Sequence, residues 1–323
     1  MIHINKRVMK SINQAVEERE ALDISYAEMP CGAHLLDFGI TVKGTWESAL
    51  LFTRLTIGDL GTVTLGRWEL DENYSFSCID LFVSHPLIAC LGSQIAGWQL
   101  SDGEFATIGS GPARAVAAVA SDPYLAMTPY RDTDAADVVL CIQDTRLPTD
   151  ALALSVAQAC GVTPEHVYIA IAPSACIVGS VQVAARMLEQ CCHKMYEHGF
   201  AVSQIVHCRG RAPIAPVCND EIIAMGRIND AILYGGEAEF WVDAADDALH
   251  TIADSLVSCS SSPEYGKSFG QIFTESGKNF YHIDHEVHSI AVIQLHSVRT
   301  GLSVRVGEIN REVLKKSFLT GIM

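Results

Sequence analysis

The sequence has no block of five or more basic residues, and its 22 Lys and Arg stand against 38 Asp and Glu. With a formal net charge of −16, neither nucleic acid nor an anionic membrane surface is expected as a partner. No C-x-x-C pair occurs among the 11 cysteines. Their number is odd, and most sit in apolar runs, as Cys78, Cys90, Cys141, Cys160 and Cys176 do. That is the usage of a reducing compartment, where Cys serves as a small hydrophobe. The first residues, MIHINKRVMKSINQ, lack both an apolar h-region and a small-residue cleavage site. No signal peptide is therefore expected, and the protein reads as cytoplasmic. No apolar run is long enough to cross a bilayer. The nearest, residues 168–185, is divided by Pro173 and Gly179. A repeat of fixed period, a low-complexity run and a flexible linker are also missing, so two tightly packed lobes are expected.

What is present is enough apolar material for a large core. The chain has 323 residues, 49% hydrophobic and 19% charged, a length that suits two domains. Residues 9–18 have a helical period. Strand signals follow at 34–40, 50–56, 62–65 and 77–83, with a turn at Asp59-Leu-Gly61, so the first third reads as β-rich. At 106–120 a strand-like run meets Gly109-Ser110-Gly111, and Pro112 opens a helix. Strands at 136–142, 166–171 and 202–207 then alternate with helices at 148–160 and 179–198, which indicates α/β layering. A Pro-rich turn at 211–216 leads to a helix at 220–234 and a strand at 237–242. A helix at 245–256, strands at 290–295 and 302–306 and a last helix at 310–318 complete the order. The expected class is mixed α/β in two domains with a cleft between them. Residues 1–125 with 286–323 would form the first domain, the C-terminal hairpin rejoining it, and 126–285 the second.

The cleanest helical pattern is 179–200, GSVQVAARMLEQCCHKMYEHGF. Val181, Ala184, Ala185, Leu188, Cys191, Cys192 and Met195 recur at three- and four-residue steps and form a buried stripe. Opposite them, Gln182, Arg186, Glu189 and His193 form one polar line. That line is either a wetted face with an Arg186–Glu189 ion pair, or one wall of a site. In a site, Glu189 serves as general base and Arg186 fixes its orientation and ionisation.

Three other groups compete for attention. Gly109, Ser110, Gly111 and Arg114 form a Gly-rich turn at a helix start, either an anion site or a tight strand-to-helix turn. It is neither a Walker A loop nor a dinucleotide fingerprint. Arg227, Asn229 and Asp230 lie on a helix leading to Gly235-Gly236, as ligand contacts or as a solvated face. His282, His285 and His288 lie in FYHIDHEVH, a run β-like in composition, where their spacing suits a metal poorly and solvent-facing histidines are the simpler reading.

Several stretches converge on one family. IGSGPARA, SVQVAARMLEQCCHKMYEHGF, GRAPIAPV, AMGRINDAILYGGE, PEYGKSFGQIF, NFYHID and VGEINREVLKKSF occur in this order. Together they resemble the methenyltetrahydromethanopterin cyclohydrolases of methanogenic archaea and methylotrophic bacteria, over nearly the whole chain. The resemblance implies reversible hydration of a 5,10-methenyl pterin, tetrahydromethanopterin or its dephospho form, to the 5-formyl derivative. It implies a homotrimer of two-domain α/β subunits, with no metal or prosthetic group. It assigns the catalytic pair to Arg186 and Glu189, and it gives Gly109, Ser110, Gly111, Arg114, Gln182, Arg227, Asn229 and Asp230 as contacts to the carrier. The alternatives are a non-catalytic pterin-binding protein and a metal-dependent hydrolase built on the 282–288 histidines.

Overall fold

The structure, a computed structural model, describes residues 2–103, 105–119, 122–278 and 282–319. The chain forms two compact units, Met1–Gly61 with Leu87–Gln182, and Thr62–Pro86 with Val183–Met323. Each is built on one six-stranded mixed sheet.

The first unit holds β1 (Ser25–Glu28), β2 (His34–Asp37), β5 (Trp98–Ser101), β6 (Ala106–Ser110), β7 (Val138–Gln143) and β8 (Val167–Ala172). Their order is β1-β2-β8-β7-β6-β5. The central strands VVLCIQ and VYIAIA are almost wholly buried and pair in parallel. Such strands carry no polar alternation because both faces are covered. The crossover between them is helix α4 (Asp150–Cys160). Its Leu152, Ala153 and Val156 pack with Val138, Leu140, Ile142, Ile169 and Ile171 in the core. The other helices are α1 (Ile4–Glu17), α2 (Trp46–Thr56), α3 (Ala113–Ala117) and α5 (Ile177–Ala184).

The second unit holds β3 (Gly61–Glu69), β4 (Ser75–Val83), β9 (Ile205–Pro213), β10 (Glu237–Val242), β11 (Val292–Ser297) and β12 (Ser303–Gly307), in the order β12-β11-β10-β9-β4-β3. Its helices are α6 (Met187–Glu197), α7 (Glu221–Gly235), α8 (Asp246–Ala253), α9 (Ser258–Ser261), α10 (Phe269–Glu275) and α11 (Arg311–Leu319). The C-terminal hairpin β11–β12 shares a sheet with the early hairpin β3–β4. The expected divisions at 125 and 285 nonetheless fall elsewhere. Backbone pairing joins β2 to β8 and β4 to β9, so 34–37 goes with 167–172 and 75–83 with 205–213.

Two local expectations are overturned. Residues 50–56 are helical. Thr45 accepts the Ser48 amide at 3.1 Å, and Ser48 Oγ accepts the Thr45 amide at 2.7 Å. This capping box starts α2, and it outweighs the strand preference of LLFTRLT. The helix expected at 179–198 is two helices, with Ala185 and Arg186 between them. The β-like run at 280–288 contains a short 3-10 turn, His285–Val287. Phe280 and Tyr281 of that run, and Ala120 of the expected 106–120 segment, lie outside the described residues.

Gly179 sets where α5 can run. A Cβ there would lie 2.1 Å from the Pro173 carbonyl oxygen and 2.9 Å from the Ser174 backbone, and backbone atoms cannot rotate away. Gly179→Ala is expected to cost about 1–3 kcal/mol, read as a lower urea midpoint. An unchanged midpoint would show that this approach is not tight.

Candidate active site

The polar line of the 179–200 segment is split between the two units. Gln182 belongs to the first. It is buried, and its Nε2 donates to Gln143 Oε1 at 2.6 Å. Gln143 in turn donates to Ser174 Oγ at 2.7 Å. Arg186 and Glu189 belong to the second.

Arg186 stands immediately before α6, at φ −82° and ψ 0°. Its amide donates to the Val183 carbonyl at 2.8 Å, and its carbonyl accepts the Gln190 amide at 2.9 Å. Glu189 is therefore in the first turn of α6, where the helix dipole favours a carboxylate. Arg186 Nη1 and Glu189 Oε2 are 3.7 Å apart, with side-chain exposures of 15% and 12%. At that separation the contact is an ion pair rather than a hydrogen bond. Both partners are largely withdrawn from water, where opposite charges attract more strongly than on an open surface.

The rest of α6 is fixed from below. Met187, Leu188, Cys191, Cys192 and Met195 are buried. The first two lie over Gly210 of β9. A Cβ on Gly210 would meet Met187 Sδ at 2.9 Å and Leu188 Cδ2 at 3.0 Å. Gln190 Nε2 donates to the Ser289 carbonyl at 2.7 Å. Lys194 Nζ, buried, donates to Ser261 Oγ at 2.8 Å and to the Glu286 carbonyl at 2.9 Å, and lies 3.1 Å from the Glu286 carboxylate. Burial holds its pKa below the usual lysine range, against the raising pull of Glu286. Sequence inspection missed the Lys194–Glu286 contact, because nothing local signals a pairing over this separation. The same holds for Arg211, which grips Asp80 through two hydrogen bonds at 2.8 and 3.0 Å between β9 and β4.

The Gly-rich turn makes internal contacts within the first unit. Arg114 is fully buried. Its Nε donates to Asp122 Oδ2 at 2.7 Å, and its Nη1 to the Leu91 carbonyl at 3.2 Å. The charge foreseen for an anionic ligand is thus neutralised inside the first unit. Gly111 has φ +90°, and a Cβ there would lie 3.0 Å from Cys141 Sγ, so both conformation and space demand glycine. Its amide donates to the Ser93 carbonyl at 2.8 Å. Ser110 Oγ donates to the Cys141 carbonyl at 3.1 Å. A Cβ on Gly109 would strike Leu140 and Leu100. The Pro112 carbonyl accepts from Asn5 Nδ2 at 3.0 Å. With five residues, α3 adds little dipole to such a turn.

Arg227 and Asp230 line a separate pocket of about 680 Å³, with Ile222, Ile223, Lys267 and Lys316 among its walls. Arg186 and Glu189 are not among the residues that line it. Arg227 Nε donates to the Ser317 carbonyl at 2.9 Å. Asp230 accepts the Phe269 amide at 2.7 Å, and burial pushes its pKa up to about 7. Asn229 bonds back along its own helix, to the Met225 carbonyl at 2.9 Å. Among the described residues no group of three or more His, Cys, Asp and Glu is placed to hold a metal ion. His288 is half-buried, and desolvation lowers its pKa to about 4. His282 Nδ1 lies 3.2 Å from the Ser276 carbonyl.

Comparison with known proteins places this geometry in context. Residues 3–318 match the family model described as cyclohydrolase (MCH). The methenyltetrahydromethanopterin cyclohydrolase of Methanocaldococcus jannaschii is 36% identical over 320 residues, 98% of each chain. That of Methanococcus maripaludis is 38% identical over 321 residues, again 98% of each. That of Methanothermobacter marburgensis is 34% identical over 321 residues, 98% of this chain and 99% of the relative.

Asp230 gives a pH test. Its folded pKa, about 7, lies above the unfolded value of about 3.9. Between the two, the unfolded chain has lost a proton that the native protein keeps, so this group makes stability fall as pH rises. Asp230→Asn should flatten that slope, and its stability relative to wild type should grow from pH 4 to pH 7 in urea titrations. A relative stability that shrinks over the same range would mean that Asp230 is ionised in the native protein.

Proposed function

The chain belongs to the cyclohydrolase (MCH) family, and we propose that it reversibly hydrates the 5,10-methenyl group of tetrahydromethanopterin, or of its dephospho form, to the 5-formyl derivative. The observation that supports this most directly is the enclosed Arg186–Glu189 pair on the first turn of α6. On a wetted face the same pair would contribute about 0–1 kcal/mol and have no chemical consequence. Withdrawn from water, it is a base with a fixed counter-charge.

The methenyl carbon lies between two nitrogens and shares a positive charge with them, so it is already an electrophile. It lacks a positioned nucleophile. Glu189 holds a water against that carbon and takes one of its protons. Its charge also attracts the cationic substrate. Arg186 keeps Glu189 ionised and steadies the oxygen of the tetrahedral adduct. In the collapse, the bond from carbon to N10 breaks and the hydroxyl proton passes to the departing nitrogen. The net change is cation plus water to neutral formyl product plus one proton. Read backwards, the same groups close the ring.

No step in this sequence calls for a metal or a prosthetic group, and the carrier is the only partner in the reaction. Working as a homotrimer in the cytoplasm is the corresponding expectation for the assembly. No helix among the described residues is long and apolar enough to cross a membrane.

The test is loss of the methenyl absorbance with purified protein. Wild type should turn over, and Glu189→Gln should lower kcat by about 100-fold or more while still binding the carrier. Tight binding without turnover by wild type would favour a carrier-binding protein. Activity lost to a chelator, with stoichiometric Zn or Fe in the active preparation, would favour a metal-dependent hydrolase.

A further inference from the structure

Each forward turnover of the proposed reaction releases one proton, and Glu189 receives it first. Glu189 must shed that proton before it can act again, yet only 12% of its side chain meets solvent. The helix that carries it offers a route. His193 stands four residues beyond Glu189, and Glu197 four beyond His193, all within α6. Residues so spaced share one helix face, with Cβ atoms about 5–6 Å apart at each step. Side-chain exposure rises along the series, from 12% at Glu189 to 15% at His193 and 38% at Glu197. The outer step is already in contact, with His193 Nε2 at 3.1 Å from Glu197 Oε1. A carboxylate accepting from Nε2–H fixes the tautomer and leaves the basic lone pair on Nδ1.

The neighbours of His193 suit a group that passes protons on instead of storing them. Burial holds its pKa below the usual histidine range and His285 adds to this, while Glu197 pulls the other way. His288 lies close enough to feel His193, His285 and Lys194, and its own pKa is held to about 4, chiefly by burial. The remaining charges are tied to one another. Glu286 pairs with Lys194 at 3.1 Å and with His198 Nε2 at 3.0 Å. The positive side of this group opposes a long-lived imidazolium, while Glu197 stabilises it long enough to form.

We propose that Glu189, His193 and Glu197 form a proton relay along one face of α6, with His193 acting through Glu189 as a positioning and relay residue; the proposal rests on the cyclohydrolase reading above. The carboxylic acid of Glu189 gives its proton to Nδ1 of His193, directly or through one water. The imidazolium releases its Nε2 proton to Glu197, rotation of the ring resets the tautomer, and Glu197 delivers the proton to buffer. In ring closure the same steps run inward.

The experiment compares wild type, His193→Gln and Glu197→Gln by methenyl absorbance, in weak buffer and with added imidazole. Glu197 is partly exposed, so its variant tests the relay even if a change at His193 disturbs folding. In weak buffer, His193→Gln should lose about 10-fold or more in kcat with KM unchanged, and imidazole should restore much of the loss. Glu197→Gln should show a smaller loss, also relieved by imidazole. The relay is overturned if either variant matches wild type in weak buffer. It is equally overturned if the loss appears in KM or resists imidazole, as a purely structural role would produce. A wild type with no turnover sinks the cyclohydrolase reading and the relay with it. An active wild type with unaffected variants sinks the relay alone.

Discussion

On the proposed reading, the reaction depends on keeping one ion pair out of bulk water. Removing two charges from water is costly, and the attraction between them rarely returns more than that cost. Arg186 and Glu189, 3.7 Å apart and mostly covered, are therefore weak candidates for a stabilising device. The second unit holds them where the carboxylate gains from a helix N-terminus and the guanidinium from its neighbour. β9 contributes Gly210, whose bare backbone lets Met187 and Leu188 lie flat. The 286–289 segment anchors the far end of α6 through Lys194 and Gln190. Packing on an apolar stripe thus fixes Arg186 and Glu189, which on the proposed reading supply the chemistry.

Much of this was legible in the sequence, and the exceptions have identifiable causes. The alternation of strands and helices from 136 to 256 is present because its strands are buried, β-branched runs and its helices keep period and caps. The strand Glu237–Val242 falls where the pattern puts it. Residues 50–56 misled because LLFTRLT has strand-like composition, while the decisive signal, the Thr45–Ser48 capping box, lies upstream of the run. The break at Ala185–Arg186 was invisible for a different reason. Nothing in VAARMLE disfavours a helix, and the interruption shows only in the backbone conformation. Unit membership could not be read either, since it rests on pairings such as β4 with β9 that sequence order does not reveal.

The candidate residues divide along the same physical line. Arg114 and Gln182 are polar, and motif logic marks them as ligand contacts, yet the fold uses them internally, Arg114 on Asp122 and Gln182 on Gln143. A buried polar group needs a partner, and in both cases the partner is another part of the same unit. Asp230 is buried too, but it lines a pocket with cationic walls, to which Arg186 and Glu189 do not contribute. Spacing alone could not separate these cases. A Gly-rich turn before a helix looks the same whether its amides face a ligand or the carbonyl of Ser93.

On the proposed reading, the one-carbon unit reacts over the first turn of α6. A crystal structure with the methenyl carrier bound tests it most directly. The methenyl carbon should lie over Glu189, with one water between them about 3–3.5 Å from the carbon, and with the Arg186 guanidinium facing the same oxygen. A carrier bound with its methenyl carbon in the pocket of Arg227 and Asp230, or anywhere out of reach of Glu189, would contradict a role for Glu189 as the base.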